Sequence, residues 1–61
     1  MKITITLKNG KRYPIMEEWS EDVFKWADEG VSPRYIAKET TGTYLMLTRA
    51  EIKEIYINSY P

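Results

Sequence analysis

Two short turns, each closed by a glycine, constrain what this chain can fold into. The first is Lys8-Asn9-Gly10. Before it, Ile3, Ile5 and Leu7 alternate with Lys2, Thr4, Thr6 and Lys8, the period-two pattern of a half-buried strand. Asn-Gly is a strong hairpin signal, and loop length sets the register. A two-residue loop would place Leu7 opposite Arg12 and Ile5 opposite Pro14. A three-residue loop, with Gly10 left-handed in a bulge, places Ile5 opposite Tyr13 and Ile3 opposite Ile15. Only the second gathers the apolar side chains on one face, and a slip of one residue would undo it. A hairpin over residues 1–16 follows, with Pro14 at an edge because it lacks an N–H.

The second turn, Thr40-Thr41-Gly42, separates Tyr35–Glu39 from Thr43–Thr48. The same loop geometry puts Tyr35, Ala37, Leu45 and Leu47 on one face and Ile36, Tyr44 and Met46 on the other. Val31-Ser32-Pro33 offers a competing start for a short helix, since Pro suits a first helical position. The β-rich continuation favours a strand.

Between the hairpins lies the one convincing helix, from Trp19 to Gly30. Ser20 is the expected N-cap, with Glu21 and Asp22 in the first turn, where negative charge suits the helix dipole. Trp19 and Phe24 have the spacing of a hydrophobic staple. Val23, Phe24 and Ala27 share a face, with Trp26 at its margin. Gly30 is expected to close the helix in the left-handed conformation. A helix of about nine residues is marginal in water and must be held by a sheet.

Thr48-Arg-Ala-Glu51 matches a capping box, and Ile52, Ile55 and Tyr56 would share a helical face. The β-branched alternation of Glu54-Ile-Tyr-Ile-Asn58 favours a strand instead. The reading is one helical turn at 49–52 and a final strand at 53–58, with a helix through 49–58 as the alternative. The fold class is therefore α+β in a single domain over residues 1–61, in the order β-β-α-β-β-β. A strongly bent antiparallel sheet, or a small open barrel, carries one packed helix. The expected core is Ile3, Ile5, Leu7, Ile15, Val23, Phe24, Ala27, Leu45, Leu47, Ile55 and Ile57.

This order resembles small uncharacterised β-rich proteins of bacteria and their phages. The Leu7-Lys-Asn-Gly-Lys11 hairpin, the later Gly42 with its apolar strand, and Ile52 and Ile55 near the end carry the resemblance. It implies a fold class and a mobile-element origin, and no particular activity.

Composition narrows function by what is missing. A domain of 61 residues buries only about 60% of the surface its unfolded chain exposes. With no Cys and no His, it has neither disulfides nor the usual zinc ligands to support it. A protein partner, or a second copy, remains as a source of stability. No apolar run nears the roughly 20 residues that span a bilayer, and Met1–Lys8 is unlike a signal peptide. A cytoplasmic protein without membrane contact is expected.

Glu17, Glu18, Glu21 and Asp22 lack the turn glycine of a calcium loop and read as the polar start of a helix. Ser20, Ser32 and Ser59 have no His to activate them. Gly10, Gly30 and Gly42 are isolated turn residues rather than a phosphate loop. No catalytic residue, metal site or cofactor is therefore assigned. Lys2, Lys8, Arg12, Arg34 and Lys38, with Tyr44 and Tyr56, would give an outer sheet face able to grip a single-stranded nucleic acid. A net charge of zero and a pI near 6.2 argue against it.

Protein binding is the favoured function, because the apolar surface exceeds what one helix and a small sheet can hide. Two Trp and five Tyr are residue types enriched where interfaces concentrate energy. Ile36, Tyr44, Met46 and Tyr56 are the residues left outward once the core is assigned. They are expected to form one apolar strip rimmed by Arg34 and Lys38. The protein would use it to regulate or inhibit a larger protein, or to pair with itself.

Overall fold

The computed structural model describes residues 1–58, and Ser59 lies outside them. The elements are β1 (Lys2–Leu7), β2 (Arg12–Pro14), α1 (Glu17–Glu29), β3 (Arg34–Lys38), β4 (Tyr44–Thr48), one 3₁₀ turn (Arg49–Glu51) and β5 (Ile52–Asn58). The class is α+β, in the expected order.

Both hairpins take the three-residue loop. Gly10 N–H bonds to Leu7 O (2.9 Å) and Gly42 N–H to Glu39 O (2.8 Å). Both glycines sit at positive φ, 91° and 94°, where a Cβ would be strained. Ile5 therefore faces Tyr13, and Ile15 N–H reaches Ile3 O at 2.9 Å. In the second hairpin Tyr35 faces Leu47 and Ile36 faces Met46. The last segment is the strand, not the alternative helix. β5 lies antiparallel to β1, with Ile3 opposite Ile57 and Ile5 opposite Ile55. Val31-Ser32-Pro33 forms no helix.

The sheet is split rather than continuous, and it does not close into a barrel. One antiparallel sheet has the order β2-β1-β5, and the other is the β3-β4 pair. Among the described residues a single bridge, Ile15 to Glu39, links them. Met16 N–H donates to Lys38 O (2.9 Å) and Thr40 N–H to Pro14 O (3.0 Å). Pro14 explains the break. It opposes Thr4, one residue out of step with the bonded Ile3–Ile15 pair, so the donor it lacks would have pointed at β3. Its carbonyl accepts from Thr40, and no return bond can form.

Helix α1 begins three residues earlier than Ser20, with the extended Met16 at its N-cap (φ −56°, ψ 141°). Glu17 and Glu18 fill the first turn. Ser20 is not a cap. It is fully buried, and its hydroxyl accepts from Ile3 N–H (3.2 Å). It is placed to donate to Ile15 O (3.3 Å) and Met16 O (3.1 Å). The side chain thus completes the β1–β2 ladder where it ends, in place of a backbone bond. The start at Glu17 removes the staple as well, since Trp19 is now inside the helix.

Gly30 is extended (φ −71°, ψ 151°), not left-handed. It is glycine for space: a Cβ there would lie 2.5 Å from Trp26 O and 2.8 Å from Trp26 Cδ1.

Ile3, Ile5, Ile15, Val23, Trp26, Ala37 and Leu47 form the buried core. Trp26 belongs to this core rather than to the margin of the helix's apolar face, because the helix buries Ser20, Val23 and Trp26. Leu7, Phe24, Ala27, Leu45 and Ile55 are only half-buried against this core. Ile57 remains 43% exposed, since β5 is an edge strand and one flank of each inward side chain stays uncovered.

Candidate interaction surface

Strand alternation turns Ile36, Tyr44 and Met46 away from the core, because their neighbours Ala37, Leu45 and Leu47 point into it. Ile36 and Met46 are directly opposed across the β3–β4 ladder. Their exposures are 51% and 59%, and that of Tyr44 is 60%. Tyr44 opposes Lys38, whose ammonium lies 5.3 Å from the ring centroid. The Trp19 indole meets the same ring edge to face, with centroids 6.0 Å apart at 86°. Tyr44 is thus an exposed ring held from two sides, which reduces the ordering entropy a partner must overcome.

The structure does not bring Tyr56 to this group. It is exposed on β5 in the other sheet, opposite Thr4. In the order of the strands, β1 and β2 lie between β5 and the Ile15–Glu39 bridge that leads to β3. Of the four residues expected to form one strip, Ile36, Tyr44 and Met46 share the outer face of the second hairpin. Tyr56 belongs to the other sheet, with the exposed Ile57 beside it on β5 and the exposed Met1 just before β1.

The basic residues are divided in the same way. Arg34 and Lys38 are on β3 beside the patch, with Arg34 opposite Thr48. Lys2 pairs with Asn58, and Lys8 lies exposed in the first turn. Arg12 opposes Thr6, and Thr6 opposes Glu54 on its other side, so that row ends in a negative charge. Glu17, Glu18, Glu21 and Asp22 lie exposed along α1. Among the described residues no three acidic side chains converge on a point that could hold a metal. Nor, among those residues, is any helix long and apolar enough to cross a membrane.

A second constellation was not anticipated from the sequence. The Trp26 indole stacks on Tyr35 at 5.3 Å and 22°, and its Nε1–H donates to Ser32 O at 2.8 Å. The Arg49 guanidinium covers the indole at 5.0 Å from its centroid. Its Nη2 donates to Trp26 O (2.9 Å) and Ser32 O (2.8 Å). Helix α1 has no basic residue in its last turn, so Arg49 supplies from the 3₁₀ turn the cation that a helix C-terminus favours. That missing charge was the one hint in the sequence. Beside it, an open groove of about 310 Å³ runs between α1 and β5, floored by Phe24, Ala27, Ile52 and Ile55.

Fold and surface together define a small α+β domain in which three exposed apolar residues, Ile36, Tyr44 and Met46, share the outer face of one hairpin. Comparison with family models, curated proteins and solved structures finds no match to this chain.

Proposed function

We propose that this protein is a small non-enzymatic binding module that attaches to another protein, or to itself, through the outer face of the β3–β4 hairpin. The observation that carries this reading is the patch of Ile36, Tyr44 and Met46, each more than half exposed on adjacent positions of a rigid hairpin. Isolated apolar side chains on a surface are ordinary, whereas a contiguous group rimmed by polar residues has the composition of an interaction site. Arg34 and Lys38 at its border are suited to steer an acidic partner. A domain of this size has surface to offer, and regulation or inhibition of a larger cytoplasmic protein fits that endowment. An origin in a bacterial or phage genome belongs to the same reading.

The test compares the parent with a variant carrying Tyr44→Glu and Met46→Glu. Both positions are exposed, so the thermal unfolding curve should stay close to that of the parent. Each protein is immobilised, exposed to a bacterial lysate, and its captured proteins are identified by mass spectrometry. A protein held by the parent and lost from the variant supports the face. Identical captured sets from two folded proteins refute it.

A further inference from the structure

We infer that the free edge of β4 is a self-pairing site, where β4 of a second copy adds antiparallel about a two-fold axis through Met46. This rests on the reading of the same hairpin as an interface, and it specifies the partner and the geometry. Backbone phase supplies the first support. Glu39 N–H donates to Thr43 O (3.0 Å) and Arg49 N–H to Pro33 O (2.9 Å). In an antiparallel ladder the bonded pairs alternate, so Leu45 and Leu47 bond to β3. The N–H and C=O of Tyr44, Met46 and Thr48 then point away from β3. Among the described residues β3 is the only strand paired with β4; α1 packs chiefly over β1 and β3, and its Trp19 touches the Tyr44 ring.

Charge supplies the second. Exposed edges are normally guarded by charged residues, proline or bulges. Each of β1, β2, β3 and β5 carries at least one Lys, Arg or Glu, whereas β4, Tyr-Leu-Met-Leu-Thr, carries none.

The same five residues read almost identically in both directions, which an antiparallel self-pair requires. Only residues whose backbone groups point to the free edge can bond across it, so Tyr44, Met46 and Thr48 must oppose one another. The register centred on Met46 overlaps the whole strand. It sets Met46 against its own copy, Leu45 against Leu47 and Tyr44 against Thr48, with no like charges opposed. An outer row of Ile36, Met46 and their two copies would then run unbroken across the joined sheet, and both helices would lie on its other face. A symmetric isologous contact of this kind closes at two subunits.

Sedimentation velocity from dilute to millimolar protein, with amide hydrogen exchange followed by NMR over the same range, tests this directly. The mass should double, and the amides of Tyr44, Met46 and Thr48 should gain protection with concentration, while Leu45 and Leu47 are protected throughout. Charge at the two-fold supplies the second arm. Met46→Lys and Met46→Glu should each be monomeric, and their equimolar mixture should recover the dimer with protected edge amides. A parent that stays monomeric overturns the inference, leaving the binding-face reading to the capture experiment. A dimer whose edge amides exchange freely overturns it too, by showing association without strand addition. Single variants that dimerise like the parent, or a mixture that stays monomeric, refute the register on Met46.

Discussion

Ser20 separates a local account of this helix from a tertiary one, and substitution there distinguishes them. If Ser20 were an N-cap, Asp would serve as well as Ser, and Ser20→Asp would leave stability almost unchanged. In the structure the hydroxyl is fully buried between Ile3 N–H and the carbonyls of Ile15 and Met16. A carboxylate there would face two carbonyl oxygens and a single N–H, and an uncompensated buried charge costs several kcal/mol. The whole domain should be stable by only about 3–9 kcal/mol, at the usual value per residue. Ser20→Asp should therefore be largely unfolded at neutral pH. Ser20→Ala is milder. It strands the Ile3 donor, which costs about 1–3 kcal/mol, and gains back about 0.5 kcal/mol because Ala is the better helix former. A net loss of about 1–2 kcal/mol corresponds to a fall in melting temperature of about 5–15 °C for a domain this small. Thermal and urea unfolding followed by circular dichroism would measure both variants, and amide exchange at Ile3 would locate the defect. A Ser20→Asp protein that melts with the parent would refute the buried-bridge assignment.

Two further outcomes follow from the same packing. Gly30→Ala should destabilise by about 1–3 kcal/mol, as overpacking typically does, even though φ of −71° is allowed for Ala. An unfolding midpoint equal to or above the parent's would show that Trp26 and Arg49 yield without loss. Phe24 is partly buried, so Phe24→Ala should cost less than the roughly 3–5 kcal/mol seen for fully buried aromatics and leave a folded protein. Ile5→Ala, at a residue with no exposed surface, should unfold at clearly lower urea, and equal midpoints for the two variants would contradict this ranking of the core.

Much of this fold is governed by neighbours a few residues apart and could be read without the structure. Gly10 and Gly42 needed positive φ, so both loops had three residues, and the registers of two hairpins followed. Those registers in turn set which side chains face out, which is why Ile36, Tyr44 and Met46 were identifiable as a surface group. The β-branched alternation of Glu54–Asn58 likewise made β5 a strand. Tertiary structure alone decided the rest, because it depends on groups distant along the chain. Ser20 satisfies the same chemical pattern as a cap or as a buried bridge, and only the arrival of Ile3 and Ile15 selects the second. Position 30 has no room for a Cβ beside Trp26 and Arg49, and the arrival of Arg49 from the 3₁₀ turn is a tertiary event. The break that Pro14 imposes between the two sheets leaves Tyr56 in a different sheet from Ile36, Tyr44 and Met46. Whether Ile57 is covered depends on what lies beyond the edge of β5, a property of the assembled sheet and not of the strand.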